Sequence, residues 1–507
     1  MKDREKNNFD YRLILVTTFL ISICSIIYEL IISSISSYLL GDSITQFSIT
    51  IGLYMFAMGV GSYLSKKIKN KLFNRFVYIE LFVGIFGGLS SLILFFSNIY
   101  TTIYHLIMYV LIIMIGILVG LEIPILTRII EENKSDVRNN LANIFSFDYL
   151  GGLIGSLIFP LILLPNLGYI TTTLLMGSIN VFVALLIVIK YKRFILNYSI
   201  IRAVVIIILG IFISLLFTGS FLADHVESGL YKDTIILSKQ TKYQKIVMTR
   251  HKDDVRLFID GNLQFCSKDE YRYHEALVHI PMLYANKHDE ILVLGGGDGL
   301  AVRELLKYND VKNITLVDID EQMTDLCKSN SLISTLNNHS LESEKLNIIN
   351  DDAYIFVQNT DKKYDVVIID LPDPNSETLN KLYTNVFYNY IKSIMNEDGV
   401  MVCQSTSPYY AKNSFWCINK TIATQFENVK PYHLQVPSFG EWGFNLAYNG
   451  KADLKELQVD TKYLNNENIK LMFNFGKDEL VEMEKIEIND IFKPKLIEYY
   501  NKDVIDW

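Results

Sequence analysis

Glu290-Ile291-Leu292-Val293-Leu294-Gly295-Gly296-Gly297-Asp298-Gly299-Leu300-Ala301-Val302-Arg303-Glu304 decides the fold. Ile291 to Leu294 is a short apolar run, the pattern of a parallel strand buried on both faces. Gly295, Gly297 and Gly299 follow as a glycine turn, where backbone can approach a ligand closely. Leu300 to Tyr308 has helical composition and starts at that turn. Strand, glycine turn and helix in that order open the nucleotide-binding unit of a doubly wound α/β fold. Two carboxylates bear on what the turn binds. Asp298 lies inside it. Asp318 ends the next strand, Ile314 to Val317, about 20 residues on, where an acid accepts ribose hydroxyls.

Alone, a glycine turn marks a tight bend in any α/β domain. Later strand ends add weight. Leu346–Ile349, Val366–Ile369 and Val400–Cys403 read as further strands, ending near Asp352, Asp370 and Gln404. Ligands bind at the carboxyl edge of an open sheet, so these groups are expected to converge on one crevice. Upstream, Thr234–Leu237, Lys245–Thr249 and Val255–Ile259 read as short strands. They turn at His251–Asp254 and at Asp260-Gly261-Asn262, forming a small β-rich lead-in. A helix over Tyr271 to Ala285 follows. The last stretch, Asp453 to Trp507, is charged and helical in composition.

The chain in front of this region is different. Of 507 residues half are hydrophobic, too many for an ordinary soluble protein of this size. The excess lies before residue 223, where 16 Lys and Arg stand against 11 Asp and Glu; the remainder has 31 against 44. An acidic second half disfavours nucleic acid and suits a cationic ligand. The first half contains about seven apolar segments near the ~20 residues that cross a bilayer. They lie near Leu13–Ser34, Phe47–Ser65, Phe76–Phe96, Ile103–Leu126, Leu141–Leu164, Ile170–Ile189 and Ala203–Leu222. Three organisational units follow: residues 1–222, an all-α multi-spanning membrane domain; 223–289, the lead-in and its helix; and 290–507, a Rossmann-like α/β domain. The chain is thus expected in the cell membrane, with the lipid bilayer as a partner.

Basic residues alternate between the loops: Lys66, Lys67, Lys69, Lys71 and Arg75; then Arg128, Lys134 and Arg138; then Lys190, Lys192 and Arg193. By the positive-inside rule these loops and the charged Met1–Arg12 are cytoplasmic. Seven crossings put the second half outside; a re-entrant segment, with Leu141–Leu164 the first candidate, puts it in the cytoplasm, the side favoured here. Glu29, Glu80, Glu122 and Asp148 fall in or near the spans, as interhelical hydrogen-bonding groups or as a path for cationic amines. The five cysteines have no paired spacing, and His274 and His279 share a helix without further ligands, so neither disulfides nor a metal site are expected.

Several motifs resemble the polyamine aminopropyltransferase (spermidine synthase) family, over roughly Tyr231 to Tyr448. They are Tyr243-Gln244-Lys245-Ile246; Leu257 to Gln264 followed by Asp269-Glu270 and Tyr273-His274-Glu275; Gly295 to Gly299; Asp351-Asp352-Ala353; Asp370-Leu371-Pro372-Asp373-Pro374; and Leu382-Tyr383 with Phe387-Tyr388. The apolar half and Val436 to Phe444 resemble the subfamily fused to a multi-spanning segment. The resemblance implies a class I methyltransferase-like sheet. It also implies aminopropyl transfer from decarboxylated S-adenosylmethionine to a diamine, putrescine foremost, giving spermidine and methylthioadenosine. The donor is a co-substrate, and no cofactor is held permanently. Position by position, Gln244, Asp318, Asp352 and Ala353, with Gly295 and Gly297 of the turn, hold the nucleoside. Tyr273, His274, Asp298 and Asp373 line the amine, and Asp370 accepts the proton. Asp318 stands where the family usually has Glu, Phe439 where soluble members commonly have Tyr, and Glu377 where they often have Pro. A homo-oligomer is left open.

That reaction asks for such residues. A protonated amine has no lone pair, so a base must take its proton as it attacks. Asp370, beside Asp373, suits that task, the like charge raising its pKa. Asp298 would repel the carboxylate of intact S-adenosylmethionine and attract the ammonium left after decarboxylation. Two rivals remain at this level: a membrane-anchored S-adenosylmethionine-dependent methyltransferase, and a non-catalytic polyamine sensor or transporter.

Overall fold

The protein is described here by a computed structural model, which covers residues 10–505 apart from 42 and 134–136. Most of the charged start and Lys134 therefore lie outside the described residues. Two compact units are present, Met1–Asp233 and Thr234–Trp507.

The first unit is helical: α1 (Tyr11–Leu40), α2 (Ser43–Leu64), α3 (Leu72–Gly88), α4 (Ser90–Tyr100), α5 (Tyr104–Asn133), α6 (Val137–Ile158), α7 (Leu164–Lys190) and α8 (Tyr198–Leu230). Among the described residues five helical stretches are long and apolar enough to cross a membrane, or six if α3 and α4, bent by 42°, count as one. The difference from seven has a local cause. A single helical run, Asn139–Lys190, takes in two of the expected segments. Its 52 residues are far more than the ~20 one crossing needs. Its interior break is Gly168, at φ 69° and ψ −176°, beside the loop expected near Asn166. A second bend, of 42°, falls between α3 and α4.

Small residues set the helix spacing. A Cβ on Gly61 of α2 would overlap the Ile117 carbonyl of α5, and one on Gly120 of α5 the Met58 carbonyl of α2. Backbones can meet that closely only where side chains vanish, the way spanning helices associate without a hydrophobic drive between them.

The second unit begins with a four-stranded antiparallel sheet, β1 (Thr234–Gln240), β2 (Lys245–His251), β3 (Asp254–Ile259) and β4 (Asn262–Cys266), in sequence order. Helix α9 (Glu270–Tyr284) follows, almost wholly buried. Then comes the main sheet: β5 (Glu290–Gly295), β6 (Asn313–Val317), β7 (Leu346–Ile349), β8 (Tyr364–Asp370), β9 (Met395–Gln404), β10 (Asn428–Val436) and β11 (Gly440–Tyr448). Its order is β10-β11-β9-β8-β5-β6-β7. The first five strands are parallel, and β10 and β11 form an antiparallel edge hairpin absent from the sequence reading. Ile291 to Leu294 and Val366 to Ile369 are fully buried, as their unbroken apolar runs require.

The tail differs from expectation. Between Asp453 and Trp507 the described helices are only Asn466–Leu471 and Lys495–Ile505. Its irregular backbone is pinned by α9: the buried Glu275 carboxylate accepts the amides of Lys462 (2.6 Å), Tyr463 (2.9 Å) and Leu464 (2.9 Å). Glu275→Ala strands these donors and is expected to destabilise the unit by roughly 2–4 kcal/mol. The check is a lower urea midpoint for the full chain in detergent, with an unchanged slope.

Candidate functional site

Strand register builds the site. Gly295 pairs with Asp370 across β5–β8, and Leu294 pairs with Val317 across β5–β6. The glycine turn therefore faces the ends of β6 and β8 together. The positive φ of Gly295 (80°), Gly296 (68°) and Gly299 (79°) makes the turn tight. A Cβ on Gly297 would strike the Asp318 carboxylate at 2.5 Å, and one on Gly296 would meet Asp370 Oδ2 at 3.2 Å.

On the β6 side, Asp318 accepts the amides of Gly297 (3.1 Å) and Asp320 (2.9 Å). Burial raises it to about 6 despite these bonds. Gln244 donates to Asp320 Oδ2 at 2.9 Å, and Thr241 donates to the same oxygen at 2.7 Å. Asp320 is thus the buried link between the lead-in sheet and the β6 edge, unnoticed in the sequence. Asp352 caps the helix Ala353–Asn359, accepting the Tyr354 amide at 2.8 Å, and pairs with Lys381 Nζ at 2.6 Å. Ala353, buried, is the first residue of that helix.

On the β8 side, Tyr273 of α9 donates to Asp370 Oδ1 at 2.6 Å. Burial pushes the Asp370 carboxyl up to about 6; His274 works against the shift and Asp298 adds to it. The expected cause was Asp373, which is a correction: burial leads, and the like charge that contributes is Asp298. Asp373 is itself raised by burial. It accepts from Tyr500 (2.9 Å), Thr406 (3.4 Å) and Gln404 (3.4 Å), so neutral donors hold it. Tyr500, 127 residues away on Lys495–Ile505, gives the tail a part in the site.

Asp298 is buried, its Oδ1 accepting the Leu300 amide at 2.8 Å, and burial raises it. His274 Nδ1 is committed to Glu270, at 2.8 Å from both its carbonyl and its Oε2. Burial alone would lower the imidazole, but Glu270, with Asp298 and Asp370, lifts it to about 9. Arg303 clamps Glu270 with two nitrogens, at 2.8 and 2.9 Å. A buried chain Arg303–Glu270–His274 therefore sets a fixed cation beside Asp298 and Asp370. Only Glu270 and His274 of it were legible, because Arg303 reads as an ordinary helix residue.

The β10–β11 turn supplies the aromatic wall. Tyr273 lies 6.1 Å from Phe439 and 6.4 Å from Trp442, centroid to centroid. The turn is fastened by Asp269, which accepts from the Ser438 amide (2.6 Å) and hydroxyl (2.8 Å). His279 belongs elsewhere, bonded to Glu304 and Tyr308 at 3.0 Å each.

An α/β sheet with a glycine turn, a ribose-type acid and buried carboxylates at its carboxyl edge is the architecture of a transferase that works beside a nucleoside. Comparison with known proteins makes this specific. Residues 270–460 match the spermine/spermidine synthase domain. A polyamine aminopropyltransferase of Leptospira interrogans is 42% identical, covering 96% of this chain and 98% of its own. That of Oceanobacillus iheyensis is 39% identical, covering 95% and 96%. A crystal structure of spermidine synthase with the transition-state analogue AdoDATO aligns with a TM-score of 0.45 at 25% identity, over 48% of this chain and 86% of that one. The chain belongs to the polyamine aminopropyltransferase family, enzymes of the spermidine synthase type.

One backbone feature marks the site. Thr406, next to Asp373, has φ 59°, a left-handed conformation that a β-branched residue rarely adopts. Such strain collects where the surroundings over-determine it. Thr406→Gly is expected to raise stability by about 1 kcal/mol, read as a higher unfolding midpoint; an unchanged or lower midpoint would refute stored strain here.

Proposed function

We propose that the enzyme transfers the aminopropyl group of decarboxylated S-adenosylmethionine to a diamine, putrescine foremost, yielding spermidine and methylthioadenosine. The observation that carries this reading is the buried pair of carboxylates, Asp298 in the glycine turn and Asp370 across from it, which act on each other electrostatically. A site with two such acids welcomes cations and rejects the carboxylate of the undecarboxylated donor.

The roles follow from chemistry. Gly295 and Gly297 leave room for the nucleoside, Asp318 grips the ribose hydroxyls, and Gln244, Asp352 and Ala353 frame the rest. Asp298 attracts the donor's terminal ammonium. Tyr273, His274 and Asp373 orient the acceptor amine, with Asp373 drawing its distal ammonium. Asp370 takes a proton from the attacking nitrogen. The nitrogen lone pair forms the new N–C bond, the C–S bond breaks, and its electrons return to sulfur, leaving a neutral thioether. No permanently held cofactor or metal has a role in these steps.

The helical unit, with its long apolar helices, anchors the enzyme in the cell membrane. With α8 carrying the helical unit to Asp233 instead of the expected 222, residues 234–289 serve as lead-in and 290–507 as catalytic domain. We place the catalytic unit on the cytoplasmic side, with the basic loops. An even number of crossings, as when Asn139–Lys190 crosses twice and the bent α3–α4 pair is re-entrant, keeps both on one side. A C-terminal reporter active only outside the cell rules this placement out.

Asp370→Asn is expected to lower kcat by about 10²–10⁴-fold, the range for loss of a general base. Methylthioadenosine release, read by mass spectrometry with a diamine panel, is the assay. The base works deprotonated. kcat/KM should therefore fall as pH drops through about 6, the value to which burial lifts Asp370; a rate flat from pH 7 to 5 contradicts the assignment. Asp298→Asn should weaken binding of the decarboxylated donor and narrow its margin over intact S-adenosylmethionine. Unchanged selectivity in titrations of the two ligands removes Asp298 from that role.

A further inference from the structure

The last helix, Lys495–Ile505, lies beyond residues 270–460, the stretch that matches the spermine/spermidine synthase domain. Buried partners anchor it near both ends. Near its start Leu496 is fully buried, and its amide donates to Asn489 Oδ1 at 3.2 Å. Near its end the buried Asp503 accepts from Asn413 (2.7 Å) and from the Ser414 amide (3.0 Å) and hydroxyl (2.9 Å). Between these anchors the Tyr500 hydroxyl donates to Asp373 Oδ2 at 2.9 Å.

Leu496, Asn489 and Asp503 carry the docking of the helix, whereas the Tyr500 hydroxyl is given to a residue of the site. Its bond is the shortest of the three that Asp373 accepts from these donors. Gln404 and Thr406 reach Asp373 at 3.4 Å each, and Gln404 is committed more closely to the Tyr383 hydroxyl, at 2.8 Å. Burial raises Asp373, and Tyr500 leads the donors that oppose the shift. A hydrogen bond to the ionised carboxylate favours that form. Asp373 and Tyr500 both keep part of their surface accessible, so an amine can reach the pair.

The pair stands at one end of the site. Asp370 and Asp373 both act electrostatically on Tyr273 and Tyr383, whereas of these two acids Asp373 alone acts on Tyr500. Tyr500 therefore belongs to the Asp373 end, away from the proton acceptor. Its oxygen, having given its proton to Asp373, still has lone pairs that accept from an ammonium. Carboxylate and phenol oxygen together seat a cation by more than one contact. An uncharged alkyl end placed there would bury both without a partner, which is costly.

We propose that Tyr500 is a specificity-determining residue for the acceptor: it fixes Asp373 as the seat of the amine's second ammonium, so that the enzyme selects diamines over monoamines. This role rests on the aminopropyl-transfer reading above, and a segment outside the matched domain supplies it.

The test is steady-state methylthioadenosine release by the full chain in detergent, with 1,4-diaminobutane as acceptor and 1-aminobutane as competing inhibitor. Tyr500→Phe removes one hydrogen bond to a charged group; it is expected to raise the diamine KM about tenfold and to leave kcat and the 1-aminobutane inhibition constant within about twofold. The retained kcat also shows that the variant is folded. In an Asp373→Asn background Tyr500→Phe should add nothing, as befits two residues that act as one. An unchanged diamine KM, an equal loss for both amines, or additive effects in the double variant overturns the proposal while the catalytic reading stands. No methylthioadenosine from wild type with any diamine ends that reading, and this proposal with it. Should Tyr500→Phe misfold, wild type supplies a second measurement. With methylthioadenosine bound, 1,4-diaminobutane should slow amide exchange in Lys495–Ile505, and 1-aminobutane should not. Equal protection by both amines, or none by either, also overturns the proposal.

Discussion

The Gly295–Asp370 pairing is the constraint from which the site follows. Parallel register places the last residue of β5 beside the last of β8, and a side chain at position 295 would overlap the Asp370 carbonyl. Without that side chain the chain can turn at positive φ and lay Gly296 against the Asp370 carboxylate. The glycine turn and the Asp370 carboxylate are thereby fixed to each other by backbone, not by flexible side chains. Catalytic groups held on strands and tight turns keep their geometry better than groups on loops.

Electrostatics builds on this frame in layers. Asp298 and Asp370 are buried, and burial alone would drive both toward the neutral acid. His274 opposes that, because Glu270 keeps it charged and Arg303 keeps Glu270 charged. The outcome is a carboxyl near 6, ionised at neutral pH yet basic enough to receive a proton. Asp373 is set differently, through neutral donors from Gln404, Thr406 and Tyr500. Two acids three residues apart thus have distinct surroundings, which suits one to exchange a proton and the other to hold a charge.

Much of this was legible in the sequence, for identifiable reasons. Buried parallel strands write themselves as apolar runs, and the acids stand immediately after them, so β5 to β8 and the order of Asp318, Asp352 and Asp370 could be read directly. The hairpin β10–β11 could not. Lys430, Pro431, His433 and Gln435 interrupt its first strand, whose residues are largely half-buried. The supporting shell escaped too. Arg303 with Glu270 and Tyr500 with Asp373 are pairs 33 and 127 residues apart, and no local pattern announces them. The tail misled by composition: its charged residues suggested helix, whereas much of it is irregular backbone whose amides find acceptors on α9.

The helical unit follows a different physical logic, and the contrast explains why its charged residues were ambiguous from sequence. In the sheet unit a carboxylate at a strand end has water or backbone amides at hand, so its presence says little until its neighbours are known. Among apolar helices the default partner is absent, and each acid must find one or pay heavily. Glu80 finds Asn180. The glycines draw α2 onto α5 and α1 onto α6. Beside these contacts the walls part, and Met58 and Gly120 line the opening together with Glu29, Glu122, Glu131 and Asp148. Close packing and open space thus lie on one set of helices.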